Sequence, residues 1–299
     1  MKPRQRLIAV IAAALLGSEL APFLALSGRA ASTAVVSSGL CRSSSHPALA
    51  ARLGRDIAAA RRGRVSSVAV GVDDPGEGLR CWLHSAWHFD SASVVKVTIL
   101  GALLRRALDQ HRHLAGTEEA LASAMITRSD NDAASALWAQ LGRGYLRHFL
   151  NLAGMKQTAL GPEGYWGLTQ VTAHDEVLLL RLLLEKNPVL DIASRNYALG
   201  LMAQILPDQR WGAAAGAPTR LTSHLKNGWL PRHTHGWRIH SIGCFTGRGG
   251  AYSIVVLTQN NPAMAYGIHT IEAIAMAINR DLNPGTTSAI PPTGPPPPE

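Results

Sequence analysis

Ser93-Val94-Val95-Lys96 sets a hydroxyl and an amine three residues apart, which on a helix places both on one face with the lysine amine over the serine. An unprotonated lysine in that position can take the serine proton and turn the hydroxyl into a nucleophile. A serine helix cap followed by a solvated lysine gives the same four letters, so the pattern needs company. Ser129-Asp130-Asn131 falls at a break between two expected helices, where a second hydroxyl can relay a proton to a leaving group and an amide can enter a cleft. An ordinary helix cap is the plainer reading. Lys226-Asn227-Gly228 closes an expected strand, where lysine offers positive charge to a substrate carboxylate and glycine lets substrate backbone lie alongside. A tight turn would use the same residues. Lysine occurs only at positions 2, 96, 156, 186 and 226, so two of the five fall inside these segments.

Other side chains with chemical potential are less organised. His233 and His235, with His224 and His240, lack a carboxylate or cysteine at a usual ligand spacing and read as loop histidines, so no metal is expected. Cys41, Cys81 and Cys244 are too few for a disulfide scaffold; in an oxidising compartment they allow one disulfide and one thiol, in any pairing. Of the tryptophans, only Trp229 and Trp166 are placed to touch a substrate. No glycine-rich phosphate loop occurs, and no cofactor is expected.

These segments need elements to hold them. Pro47–Arg62 shows helical spacing, and Val65–Val72 and Leu79–Trp87 are β-prone runs joined by a turn-forming Asp-Asp-Pro-Gly-Glu-Gly. Helices are expected over Ser93–Gln110, Thr117–Ile126, Asn131–Leu141, Tyr145–Leu152, His174–Lys186 and Val189–Leu206. Strands return at Arg220–Leu225, Trp237–Thr246 and Ala251–Gln259, and Ile268–Asn279 closes the pattern as a helix. The order implies an α+β fold: one five-stranded antiparallel sheet built from both chain ends, with flanking helices and an inserted all-helical lobe at about 93–206.

Composition bounds the rest. The chain has 299 residues, 46% hydrophobic and 16% charged, which suits a globular protein with a sizeable core and excludes disordered, collagen-like and polytopic membrane classes. Its net charge of +9 comes with 24 arginines spread along the chain, so no nucleic-acid partner is expected. Lys2, Arg4 and Arg6 precede an apolar run from Leu7 to Leu16, with small residues at Gly28, Ala30 and Ala31, which is the layout of a secretory signal over 1–30. An uncleaved anchor reaching Leu26 is the alternative, interrupted by Glu19 and Pro22. With the signal goes a net +3, leaving +6 on an extracytoplasmic chain. A flexible segment over 31–46, a single domain over 47–282, a loose proline-rich tail over 283–299 and a monomer without a membrane span are expected.

Ser-x-x-Lys, then Ser-Asp-Asn, then Lys-x-Gly, in that order and at those places in the pattern, resembles the class A β-lactamases and penicillin-binding proteins. Gln209-Arg210-Trp211-Gly212 and Lys226-Asn227-Gly228-Trp229 narrow the likeness to their actinobacterial relatives, over roughly Pro47 to Arg280. The resemblance implies a β-lactamase/D,D-peptidase-like fold and a serine hydrolase acting on a β-lactam or a peptidoglycan peptide. It implies Ser93 as nucleophile, Lys96 as its activator and Ser129 as proton donor to the departing nitrogen. Asn131 would hold the substrate amide, Lys226 would attract a carboxylate, and the N–H groups of Ser93 and Trp229 would form the oxyanion hole. Arg232 or Arg238 would add a second carboxylate contact.

The departures from that family matter as much. The stretch Met155–Thr172, where the family carries its deacylating loop, is short, and its single acid is Glu163, the candidate deacylation base; a solvated loop carboxylate is its other reading. Ser93 and Ser129 are 36 residues apart, a tight interval that implies a reduced cleft wall and a more open site. Asn227 stands where a threonine or serine hydroxyl is usual and offers an amide instead. A complete acylation apparatus beside a thin deacylation apparatus implies weak β-lactam turnover. Two rivals remain at this stage, an esterase or amidase with an unrelated substrate and a non-catalytic cell-wall-binding protein on the same fold.

Overall fold

The computed structural model describes residues 39–162, 164–248 and 250–293. The expected signal over 1–30 and Glu163 lie outside these residues.

β2 (Ser67–Asp74) and β8 (Gly250–Asn261) run antiparallel at the middle of the main sheet, with Val70 opposite Val256. Neither strand alternates apolar with polar, because both faces of the sheet are covered. Val68, Val70, Val72, Ile254 and Val256 point to one face and join Leu53 and Ile57 of α1 (Pro47–Ala60) and Ile268, Ile271, Ile274 and Ile278 of α7 (Met264–Leu282). Ala69, Val255 and Leu257 point to the other and join the helical lobe. Period-two side chains thus feed two separate cores from one pair of strands.

The sheet order is β1-β3-β2-β8-β7-β6, with β1 (Cys41–Ser43), β3 (Leu79–Leu83), β6 (Thr222–Pro231) and β7 (Trp237–Gly247). Every pairing is antiparallel. The five expected strands are therefore joined by a sixth. β1 lies inside the segment expected to be flexible, where three residues are too few to show a period; a Cys41–Cys81 disulfide ties it to β3, and Cys244 is a buried thiol. A separate two-stranded ribbon pairs β4 (Phe89–Asp90) with β5 (Gln170–Val171).

The lobe contains α2 (Val95–Asp109), α3 (Gly116–Thr127), α4 (Asn131–Leu152), α5 (Ala173–Leu184) and α6 (Ile192–Ala203). α2 is buried almost all round, which explains its run of valine, isoleucine, leucine and alanine. α4 kinks at Gly142, whose φ of 72° breaks the helix between its two expected halves.

The chain after α7 is not a loose tail from residue 283. Gly216 N–H donates to Ile290 O, Ile290 N–H to Ala217 O and Thr219 N–H to Ser288 O, at 2.8, 2.8 and 3.1 Å. Thr293 N–H donates to the buried Glu272 carboxylate at 3.0 Å. Proline content suggested a solvated coil, but Ile290 packs against the α1–α7 core and the backbone finds partners. No helix among the described residues is long and apolar enough to cross a membrane.

Candidate active site

Ser93 lies in a 3-10 turn, Ala92–Val94, that leads from β4 into α2. The turn is entered through Ala92 at φ 47°, a left-handed conformation that alanine adopts at a cost and that aims the next residue out of the helix line. Ser91 N–H donates to Thr169 O at 2.8 Å, anchoring the turn to the β5 side. On the other side runs β6. A Cβ added to Gly228 would lie 2.9 Å from Ser93 N, so only glycine lets the strand backbone come this close.

Ser129 has φ 56°, a second left-handed residue at the junction between α3 and α4. Asp130 caps α4 by accepting from Ala133 N–H at 2.8 Å, which leaves Ser129 and Asn131 on the lobe edge facing Lys96. Lys96 Nζ donates to Ser129 O at 2.5 Å, to Asn131 Oδ1 at 2.8 Å and to Ser129 Oγ at 3.2 Å. Lys226 Nζ donates to the same Ser129 Oγ at 2.9 Å and to Asn227 O at 3.0 Å. The Ser129 hydroxyl is thus held between two lysines from opposite sides of the fold. Among the described residues the Lys96 hydrogen bonds go to this segment, and none joins Nζ to Ser93 Oγ.

Both lysines are fully buried. Burial pushes the Lys96 amine down to about 7, with the Asp130 carboxylate opposing. Burial first, and the neighbouring Lys96 charge second, hold Lys226 well below its ordinary value. Two ammonium groups sharing one hydroxyl in a dry site repel each other, so the pair sheds a proton far more readily than free lysines do. Asn131 turns its oxygen to Lys96, which leaves its NH2 on the exposed side for a ligand carbonyl.

Asn227 does not present its amide to the cleft. Its Nδ2 donates to Gln209 O at 2.7 Å and Trp211 O at 2.9 Å, and the residue is 1% exposed. Side chains alternate along β6, so with Lys226 and Gly228 directed to Ser93 and Ser129, Asn227 faces the loop behind. Trp229 packs beside Trp211, ring centroids 6.2 Å apart. Arg238 is also committed elsewhere: it is 4% exposed and its Nη2 lies 3.0 Å from Asp90 Oδ2. Arg232 leans to the same carboxylate at 3.7 Å. A second carboxylate contact from either arginine would first have to release Asp90.

Supporting residues take places the sequence did not indicate: His224 and His240, expected in loops, are buried in β6 and β7. His240 accepts from Thr258 N–H at its Nδ1, 3.2 Å away, and donates from Nε2 to Asp90 O at 2.8 Å, bracing β4 against β7. Burial holds this ring neutral, down to about 4. The Trp166 ring lies over Lys96, its centroid 4.8 Å from Nζ. Glu176, fully buried at the start of α5, is a carboxylic acid pushed up to about 8 by burial and then by Asp175.

Residues 116–282, more than half of the chain, match the profile of the Beta-lactamase enzyme family. The chain belongs to that family and is a β-lactamase-like serine hydrolase acting on cyclic amides. No curated relative matches it by sequence. Among solved structures it is similar to a β-lactamase of Xanthomonas campestris, at 20% identity over 79% of this chain and 99% of that one, TM-score 0.67. A β-lactamase of Sphaerobacter thermophilus matches at 20% identity over 78% and 96%, TM-score 0.66. A putative class A β-lactamase of Rhodopseudomonas palustris matches at 20% over 76% and 98%, also with a TM-score of 0.66. At this identity the likeness speaks for the α+β fold, whose sheet and helical lobe correspond.

Proposed function

We propose that the chain is an extracytoplasmic serine hydrolase that forms an acyl-enzyme at Ser93 with β-lactams or D-Ala-D-Ala-like amides and releases it slowly. The observation that carries this reading is the Ser129 hydroxyl held between Lys96 and Lys226. A neutral Lys96 takes the Ser93 proton as Oγ bonds to the substrate carbonyl carbon. The carbonyl oxygen becomes an oxyanion facing the N–H groups of Ser93 and Trp229, a reading supported by Gly228, whose missing Cβ lets β6 lie against Ser93 N. When the C–N bond breaks, the proton passes from Lys96 through Ser129 to the departing nitrogen, and Lys226 refills the hydrogen bond to Ser129. Asn131 steadies the substrate amide. Adding water to the acyl carbon then frees Ser93 in a separate step. Glu163 is the candidate base for it.

The chain's expected partner is a small molecule or a peptidoglycan peptide, bound by a monomer. The spent amide of Asn227 favours a second substrate class, esters or amides without the carboxylate that a hydroxyl at this position would hold. Intact-mass spectrometry with a penicillin over seconds to hours, beside Ser93→Ala, tests the main reading. A Ser93-dependent adduct that outlasts minutes is expected. Penicillin turned over rapidly, with the activity lost in Glu163→Gln, overturns the slow-release half. No adduct, together with turnover of a small ester, selects the second class; inertness to both leaves a binding protein.

A further inference from the structure

The group above Lys96 is an indole. Trp166 sits in a 3-10 turn, Trp166–Leu168, with its ring centroid 4.8 Å from Lys96 Nζ. Its Nε1–H donates to Ser135 Oγ at 3.1 Å, and the Ser135 hydroxyl donates to Asn131 O at 2.9 Å. Asn131 is the residue whose Oδ1 accepts from Lys96, so the ring and the amine are anchored to the same turn of α4. The 3-10 turn is also stitched to the nucleophile side: Ser91 Oγ donates to Gly167 O at 3.3 Å, two residues before Ser93. Arg143 holds the base of the loop through Gly161 O and, at 3.4 Å, Leu160 O.

An indole face attracts an ammonium, and tryptophan does so best among the aromatic residues. Its one polar atom is a donor, so it cannot take a proton from water as a carboxylate can. Resting on the reading that Ser93 is acylated, we propose that Trp166 is a positioning residue: it keeps the Lys96 amine turned to Ser129 and keeps hydrolytic water from being activated beside acylated Ser93. Acyl-enzyme lifetime is then set by this ring as much as by the absent or present skill of a base. Burial lowers the affinity of Lys96 for its proton, and the π face works against that by favouring the ammonium.

The test follows adduct formation and loss with a penicillin, as a function of pH, in wild type, Trp166→Phe, Trp166→Leu and Ser135→Ala. Leucine keeps the site apolar but has no π face. In Trp166→Leu the midpoint of the acylation pH profile should fall by about half a unit to one unit, as the ammonium loses its partner. Its adduct should clear about ten times faster, as the smaller side chain admits water. Phenylalanine should restore the midpoint, and Ser135→Ala should move both readouts in the same direction by less. Adducts with unchanged midpoint and lifetime in Trp166→Leu overturn the Trp166 proposal and leave Ser93 in place. A wild type that takes no adduct from any acyl donor overturns the acylation reading itself.

Discussion

Lys226 Nζ lies 2.9 Å from Ser129 Oγ, joining the strand that ends the sheet to the edge of a lobe inserted nearly a hundred residues earlier. Lys96 reaches that oxygen from the other side at 3.2 Å, so both lone pairs of the hydroxyl are occupied and its proton is free to point at a substrate. Because the two amines are close and buried, any titration seen in acylation belongs to the pair.

The acylating form needs a neutral Lys96, whose amine is pushed down to about 7. Acylation should therefore rise about tenfold per pH unit below 7 and level off above it. Stopped-flow acylation with a chromogenic β-lactam or ester between pH 5 and 9 measures this. A rate flat from pH 5 to 9 would show that Lys96 is not the base.

Gly228→Ala should damage catalysis more than folding. The added Cβ would fall 2.9 Å from Ser93 N, against backbone that cannot swing away. Acylation should drop about 10²-fold, the scale of losing one oxyanion donor, with a thermal midpoint within a few degrees of wild type. Acylation at the wild-type rate would remove β6 from the oxyanion hole.

Glu176 makes stability depend on pH. Its carboxyl keeps its proton in the folded state up to about 8, whereas the unfolded chain releases it near 4.5. The folded state therefore binds the extra proton across that window, and stability falls as pH rises through it, by about 1.4 kcal/mol per unit. Subtracting the urea-unfolding free energy of Glu176→Gln cancels His240 and the lysines. The difference between wild type and variant should shrink or change sign from pH 5 to 8. A difference independent of pH would mean that Glu176 is ionised in the fold.

Ending the chain at Thr286 removes the bonds of Ser288, Ile290 and Thr293 to residues 216–219 and Glu272. At about 1 kcal/mol for each hydrogen bond, the truncated protein should lose roughly 2–4 kcal/mol in urea unfolding. Thr293→Val alone should take a part of that, since Glu272 loses the Thr293 hydroxyl at 2.5 Å and keeps the backbone N–H groups of residue 293 at 3.0 Å and of Gly212 at 3.3 Å. An unchanged midpoint for the truncation would mean that the segment contributes nothing.

The three motif segments were legible because each needs particular residue types at fixed places; the structure brings Lys96, Asn131 and Lys226 together about Ser129 and lays Gly228 against the Ser93 backbone. Strands β2 and β8 and the helices of the lobe were legible from apolar runs long enough to show a length and a period. β1 was not, since Cys41–Ser43 is three residues whose pairing depends on distant β3. Seating of Ile290 was hidden by the prolines around it. The direction of Asn227 depends on strand phase, which a motif read as letters does not contain. Trp166 came into view as a substrate neighbour, but its place over Lys96 depends on the Trp166–Leu168 turn meeting Ser91, and no local pattern encodes that.

The pairing of β2 with β8 sets Val70 beside Val256, with the whole helical lobe between them in the chain. Closing that pair asks for a large loop to be drawn together before any strand contact rewards it, whereas the helices need only near neighbours. Helices should therefore form early in refolding and the sheet late. Lys96 and Ser129 belong to the early part and Lys226 to the late part, so the pocket around Ser129 comes into being only as the last strands dock. A half-folded chain would carry its nucleophile without the means to use it.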